Sequence, residues 1–471
     1  MQFDIVQGTY NARAKNVGCN RLVNFYPEMH PQGKGKNVKS LIRTPGYRLI
    51  GASHTEGTNR GMYTSSTGRL FLVVWDRLIE ILSDETTISR GTMVGTSGYC
   101  RFSDNGNQLL ITDGTTGYIF TFATNVLAVI SDPDFPENPT TNVFTDGYFL
   151  VSSTGSGQFF FSASYDGTSW NALDFATAEY SADSLQGIAK TSNGTIWMIG
   201  QSSLELWQNV GTADLPWRRI AGSVKEIGCI APYSIVSNGE RVLWLGGGSA
   251  GYASVYMGAG YDVVKVSTPA LEYNIKTYED IHRAIAFTYS DEGHDFYVIS
   301  FSSDATHVFD MTTGEWHERG TYSSLFGDNI RQFANGYGFA FNKHYVASYY
   351  NANVYEMSLN VLLEDTEVIM RKIVTAHLSD ENRFLRIAKM EIDCEKGVGL
   401  VGGAEPKLML RSSFDGGHTW SNQVECGVGM IGAYTARCIF RRLGIARDRV
   451  FEITVSDPVD WNIINAFIEV A

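Results

Sequence analysis

Charge is scarce in this chain. Asp, Glu, Lys and Arg make up 18% of its 471 residues, and 50 acids against 37 bases leave a formal net charge of −13. A protein that grips nucleic-acid phosphates with its own surface is normally basic, so this balance argues against a dedicated nucleic-acid binder. An acidic wall beside a duplex, along which DNA slides without sticking, stays compatible. The six cysteines, Cys19, Cys100, Cys229, Cys394, Cys426 and Cys438, lie far apart and form no C-x-x-C pair. That argues against a zinc site or a disulfide scaffold and leaves them as small buried hydrophobes. No stretch approaches the ~18 apolar residues that cross a bilayer. Met1-Gln2-Phe3-Asp4-Ile5 has no basic start followed by an apolar run, so no signal peptide is read there. A soluble protein made in a reducing cytoplasm is the expectation.

Catalytic signatures are equally thin. The nine histidines include no H-E-x-x-H, and isolated ones such as His294 and His344 read as structural or surface residues. Gly155-Ser156-Gly157 lacks the spacing of a nucleophile elbow. Gly246-Gly247-Gly248-Ser249-Ala250-Gly251 is followed by neither a Walker lysine nor a G-x-G-x-x-G helix start, and reads as a loop. No metal, cofactor or small-molecule substrate is expected.

What the chain does have is glycine (48 residues) and aromatics (13%), the composition of an all-β protein with many turns. A unit of turn, short apolar run, turn and second β-like run recurs. Its copies are Leu72-Val73-Val74-Trp75, Leu109-Leu110-Ile111, Tyr148-Phe149-Leu150-Val151, Ile196-Trp197-Met198-Ile199, Val242-Leu243-Trp244-Leu245, Phe296-Tyr297-Val298-Ile299 and Gly338-Phe339-Ala340-Phe341. They stand roughly 37 to 54 residues apart, close to the ~40–50 of propeller blades. Continuous apolar runs suit strands covered on both faces by neighbouring blades. The turns between them, including Asp104-Asn105-Gly106-Asn107, Asp146-Gly147, Ser192-Asn193-Gly194 and Ser237-Asn238-Gly239, supply the positive φ of tight hairpins. A β-propeller of six or seven blades, seven favoured, is predicted over residues 59–362; a pair of β-sandwiches is the alternative.

Residues 1–58 are rich in Asn, Gly, Pro and Lys with few apolar alternations, and are expected to form an extended N-terminal arm. Val361-Leu362-Leu363-Glu364-Asp365 is the best candidate for a short helix. Beyond it, residues 363–471 alternate openly between apolar and polar, as in Lys389-Met390-Glu391-Ile392-Asp393 and Val450-Phe451-Glu452-Ile453-Thr454-Val455, and predict a C-terminal β-sandwich-like domain with Asn465–Val470 as a closing strand.

Ser413-Phe414-Asp415-Gly416-Gly417-His418-Thr419-Trp420 matches the Asp-box pattern, and Ser164-Tyr165-Asp166-Gly167-Thr168-Ser169-Trp170 is a looser copy. Each makes sense as a turn in which the carboxylate accepts backbone N–H bonds and the Trp packs across the hairpin. Sialidases carry such boxes, so a host-glycan-binding or glycan-cleaving tailspike propeller is the rival reading. It would need three arginines, a tyrosine nucleophile and an acidic partner. Two basic clusters stand out as candidate protein interfaces: Lys34, Lys36, Lys39 and Arg43 near the start, and Arg437, Arg441, Arg442, Arg447 and Arg449 near the end.

Read in order, several motifs point to a family. Asn16-Val17-Gly18-Cys19-Asn20-Arg21-Leu22-Val23-Asn24-Phe25-Tyr26-Pro27-Glu28 and Arg43-Thr44-Pro45-Gly46-Tyr47 open the chain. Gly157-Gln158-Phe159-Phe160, Leu204-Glu205-Leu206-Trp207-Gln208-Asn209, Pro216-Trp217-Arg218-Arg219 and Leu243-Trp244-Leu245-Gly246 follow, with Arg442-Leu443-Gly444-Ile445-Ala446-Arg447-Asp448-Arg449-Val450-Phe451-Glu452-Ile453 near the end. Together they resemble the packaged-DNA stabilisation proteins of short-tailed bacteriophages. The resemblance implies a structural virion protein without catalytic residues: a tail hub whose copies form a ring, of six, below the portal and its adaptor. Such a ring would close the channel over packaged DNA with at most weak contact to it, and a tail needle or other distal tail proteins would attach beneath. A virion location, and the host cytoplasm during assembly, follow from the same resemblance.

Overall fold

The computed structural model describes residues 2–30, 37–52, 54, 56–178, 183–212, 215–247, 253–302, 304–400 and 402–470. Among them, seven antiparallel blades follow one another around an axis, four-stranded except the fifth, in which Gly228–Cys229 and Val236–Asn238 both pair with Arg241–Gly247. Their innermost strands are Asn59–Thr64, Arg101–Asp104, Pro139–Thr145, Leu185–Lys190, Val236–Asn238, Ile285–Asp291 and Ala334–Ala340. Each gap between neighbouring blades is filled by its own apolar cluster. Phe71, Val73, Leu109 and Ile111 join blades 1 and 2, and Met62, Leu72, Tyr345 and Ala347 close blade 7 onto blade 1.

The apolar runs seen in the sequence fall on the second strands of blades 1 to 6, not on the innermost ones. Leu70–Val74 and Ile196–Gly200 are buried at every position. An innermost strand has the axis on one side, so it can carry polar groups, as Arg101–Asp104 does. Blade 7 differs again: Gly338-Phe339-Ala340 lies on its innermost strand, and its second strand is Lys343–Ser348.

The outer strand of blade 7 is Gly46–Ala52, paired antiparallel with Asn353–Ser358, so the propeller is closed by the beginning of the chain. That entry is tight. A Cβ on Gly46 would sit 2.4 Å from the carbonyl oxygen of Val361, where the chain leaves the propeller. Val361–Asp365 does not form a helix; Leu363–Glu364 is a strand beside Tyr47. The α-helix among the described residues is Pro269–Ile275, capped by Thr268, whose hydroxyl accepts the amide of Leu271.

Two sheets pack as a sandwich after the propeller. One runs Phe25–Met29, Lys39–Arg43, Asn462–Val470, Leu385–Cys394 and Cys438–Ala446. In the other, Cys19–Val23, Arg371–Val374, Asp448–Val455, Lys407–Ser413 and Val424–Gly427 are neighbours in that order. The tail strand is thus an interior strand of its sheet. The expected N-terminal arm is corrected here: the described part of residues 1–58 is largely strand, and it belongs to the folded body. Phe3, Ile5, Val6, Leu22, Phe25 and Leu41 sit in the sandwich core with Ile392, Phe451, Trp461 and Ile468. Most of these strands are short, and Gln2–Phe3, Cys19–Val23, Lys39–Arg43 and Gly46–Ala52 each pair with a strand near the other end of the chain, so local composition did not mark them.

One strand joins the two bodies. Cys19–Val23 pairs antiparallel with Arg371–Val374 of the sandwich, and Val23 also bridges in parallel to Glu318 on the outer strand of blade 6. The next residues turn from one core to the other: Phe25 is buried in the sandwich and Tyr26 among Phe287, Tyr289 and Phe296 of the propeller. Asn24 makes that turn possible. It is 2% exposed and adopts φ 57°, a left-handed conformation asparagine tolerates. Its amide donates to the carbonyls of Gly320 (2.9 Å) and Met370 (2.8 Å), and its carbonyl oxygen accepts the amide of Gly320 (3.0 Å). Replacing it orphans buried backbone groups from both bodies. Asn24→Ala is therefore expected to lower unfolding free energy by about 3 kcal/mol in chemical denaturation. A loss below about 0.5 kcal/mol would show that the junction does not depend on this side chain.

Candidate interaction surfaces

An alternating chain of charges crosses the junction. Arg21 pairs with Glu318 (2.8 Å) and Asp328 (3.4 Å) of blade 6. Asp328 also takes Lys372 (2.6 Å), which lies 3.8 Å from Glu452. Glu452 in turn accepts Arg411 Nε at 2.8 Å. Burial opposes ionisation of Asp328, but Lys372 and Arg21 outweigh it and hold the carboxyl below its ordinary value. Positive groups from the N-terminal strand and the sandwich thus meet negative groups of the propeller and fix their relative placement.

The propeller axis is bridged from side to side. Arg101 of blade 2 donates to the carbonyls of Pro232 (3.2 Å) and Ile235 (3.0 Å) in blade 5, and its guanidinium lies against the rings of Tyr99 and Tyr233. Tyr99 donates its hydroxyl to the carbonyl of Asn335 in blade 7, 3.1 Å away. Beyond this bridge is a cavity of about 500 Å³ lined by the innermost strands of blades 1 to 5. That is the size of a small-molecule site, far too small for a duplex to thread.

The nine cations expected at interfaces are not brought together. Lys34 and Lys36 lie outside the described residues. Lys39 is half-buried on its strand. Arg43 and Arg449 are corrected: they are structural, 6% and 1% exposed. Arg43 pairs with Asp460 (2.7 Å) and donates to the carbonyl of Leu359, tying the sandwich to the propeller exit. Arg449 donates to the carbonyl of Leu443 and lies 4.3 Å over the ring of Phe414. A sequence cannot distinguish such arginines from surface ones, because the stem buries as readily as an apolar side chain.

The others are exposed at one edge of the sandwich. Arg441 and Arg442 lie on Cys438–Ala446, the last strand of its sheet, with Arg447 just beyond. Arg437 precedes that strand and pairs with Glu391 at 2.8 Å. The edge is unsuited to indiscriminate strand pairing: Arg442 has φ 59°, and the register to the neighbouring strand shifts between Ile387 and Lys389.

Two family models account for nearly all of the chain. The bacteriophage P22 Gp10 β-propeller model matches residues 1–361, and the bacteriophage P22 Gp10 β-sandwich model matches residues 370–471. The chain belongs to the bacteriophage P22 Gp10 family. It is a structural protein of the phage tail hub, of the kind that stabilises packaged DNA. No curated protein matches it significantly. Among solved structures, virginiamycin B lyase from Staphylococcus aureus is similar with a TM-score of 0.47 at 8% identity, covering 67% of this chain and 99% of that one. The extracellular domain of a one component system from B. thetaiotaomicron gives 0.45 at 10% identity, covering 91% and 60%. Likeness this distant carries no activity across.

In this Gp10-family chain both Asp-boxes are turns. Asp415 accepts the amides of His418 (2.9 Å) and Thr419 (2.8 Å), and Asp166 accepts that of Thr168 (2.9 Å). Trp170 is buried and donates its indole N–H to the carbonyl of Gly167 at 2.8 Å. Beside the Ser413–Trp420 box lies a constellation that no motif announced. Cys19 Sγ is 3.6 Å from His377 Nε2, and His377 Nδ1 is 2.7 Å from the Asp448 carboxylate. The order is that of a cysteine nucleophile, base and orienting acid. Yet Nε2 also faces the carbonyl of Lys15 at 2.7 Å, so its N–H is committed there, and burial pushes the Cys19 thiol up to about 11. The group is a clamp on the N-terminal segment.

A second imidazole is tied into blade 6, where His294 Nδ1 is 2.8 Å from Asp310 and its ring lies 5.1 Å from that of Tyr26. The hydrogen bond to Asp310 raises the His294 pKa despite burial. In return, and against burial, His294 and Thr313 lower that of Asp310. The pair's stabilisation is complete below the ordinary His value of 6.5 and fades as pH rises through the raised folded value. Asp310's share is present above 3.8 and fades as pH falls through its lowered value. The advantage in denaturation midpoint of the native protein over His294→Gln, followed by tryptophan fluorescence, should shrink as pH rises above the ordinary His value of 6.5. An identical slope in both proteins would remove the pair from the account.

Proposed function

We propose that copies of this chain form a closed ring, of six subunits, that seals the portal channel over packaged DNA and joins the portal-adaptor complex to a tail needle or other distal tail proteins. The chain works without catalysis. A propeller is stiff because each blade packs on two neighbours, and a heterologous contact whose rotation closes turns such subunits into a ring. The observation that carries this reading is the uncovered sandwich edge. Arg441, Arg442 and Arg447 are exposed there and enter no ion pair among the described residues, on a chain whose net charge is −13. Cations gathered at one edge of an acidic subunit suit an acidic face on the next subunit or on an adjoining tail protein. The same acidity limits any contact with DNA to a weak one. The assembled protein belongs in the virion, after assembly in the host cytoplasm.

The glycan-cleaving alternative finds little support in the axial cavity, where the lining among the described residues includes one arginine, Arg101, already bound to carbonyls. The nearest tyrosine with an acidic partner, Tyr63 beside Asp104 (3.3 Å), has its pKa raised by burial and by that carboxylate, the wrong direction for a nucleophile.

Reversing the edge tests the ring. Arg441→Glu with Arg442→Glu should leave the monomer folded but abolish ring formation in analytical ultracentrifugation and incorporation into particles. Particles that assemble normally and retain DNA with the doubly reversed subunit would refute this placement of the interface. Deleting residues 1–58 is a poor test, because it removes strands of both bodies.

A further inference from the structure

The axial cavity has the makings of a ligand site separate from any ring contact. Its wall carries Arg101, a half-buried cation for which no ion pair exists among the described residues, and desolvation accordingly lowers its pKa. Its guanidinium spends two bonds on carbonyls, while its Nε is buried with no partner. Ser103 Oγ and Asn142 Oδ1, on residues that also line the cavity, are buried and unpartnered as well.

Part of the wall is aromatic: Tyr63 and Phe102 are stacked at 5.8 Å, and Phe144 of blade 3 also lines the cavity. Lys190 adds a second cation; its Nζ donates to the carbonyl of Phe144 at 2.8 Å and meets no carboxylate among the described residues. The acid on this wall, Asp104, is already engaged by the amide and hydroxyl of Ser66 (2.9 and 2.6 Å) and by Tyr63. Two unmatched cations against one satisfied acid, with an aromatic collar, select an anion that has an apolar body.

We propose that the axial cavity binds a small organic carboxylate, its charged end at Arg101 and its apolar part against Phe102 and Phe144. The carboxylate could come from a free small acid or from the C-terminal end of a partner polypeptide; the chemistry at Arg101 is the same. Charge-assisted hydrogen bonds of this kind contribute well above neutral ones, so removing the ligand's charge should be plainly visible.

Isothermal titration of the full chain with 3-phenylpropionate and with 3-phenylpropionamide tests this directly. The acid should bind saturably with one site per chain, and the amide should bind at least about tenfold more weakly. Lys190→Gln, at the mouth and outside the Arg101 bridge, should weaken the acid several-fold. Arg101→Gln should abolish binding; if that variant fails to fold, the acid-amide ratio and Lys190→Gln decide alone. A short peptide ending in phenylalanine, compared with its C-terminal amide, separates the sources. Tighter binding of the free-carboxylate peptide than of phenylpropionate points to a chain end, and binding of phenylpropionate alone points to a free acid. Equal affinity for acid and amide, or no saturation by either at millimolar concentration, overturns the proposal.

Discussion

The whole molecule turns on one five-residue strand. Cys19–Val23 is held on one side by Arg371–Val374 and on the other, through Val23, by blade 6. Tyr26 in the propeller core, Lys372 on Asp328 and Arg43 at the propeller exit are further ties between the two bodies, but none of them pairs backbone with backbone. Through Cys19–Val23, blade 6 and one sandwich sheet become a single continuous sheet. Asn24, the charge chain from Glu318 to Arg411, and the Cys19–His377–Asp448 clamp all gather around this strand, so backbone pairing, buried hydrogen bonds and ion pairs support one geometry. Mutual support of this kind resists a pull along the molecule better than any one of these interactions alone.

The same arrangement makes assembly of the fold a long-range event. Gly46–Ala52 must wait for Asn353–Ser358 before the propeller closes, and the N-terminal strands must wait for residues beyond 370 before the sandwich has a core. Loop-closure entropy on that scale is paid late, which favours slow, cooperative folding over independent folding of two bodies. A subunit closed at both of its joints by its own first residues shows no loose arm among the described residues.

The blades were legible because their second strands are covered on both faces. Burial of this kind writes itself as runs such as Ile196-Trp197-Met198-Ile199, and the Asn-Gly turns mark where each run reverses. Blade 7 was harder, since a strand facing the axis, Ala334–Ala340, holds enough Phe and Ala to imitate a covered one. The N-terminal strands left no mark because a strand pattern records burial and says nothing of where the partner lies. Tyr10–Asn11 is too short to show a pattern, and Lys39–Arg43 becomes an interior strand only between Phe25–Met29 and Asn462–Val470. The edge arginines were readable as a cluster. That Arg43 and Arg449 belong to the interior was not, because a buried guanidinium is recognised only by the carbonyls and rings that receive it.

The bridged axis decides where a genome can be held. Arg101, Tyr99 and Tyr233 span the propeller from blade 2 to blades 5 and 7, and the space beside them admits a small molecule only. A hub that retains DNA therefore cannot do so through its propellers, as a pore would. In the proposed ring the lumen lies between subunits, each with a net charge of −13 that disfavours phosphate. Retention then follows from the stiffness of the wall and the width of the gap. Arg21, Lys372 and Arg411 are spent on the junction, where they hold sandwich to propeller, and Arg441 and Arg442 lie on the sandwich edge, apart from the axis.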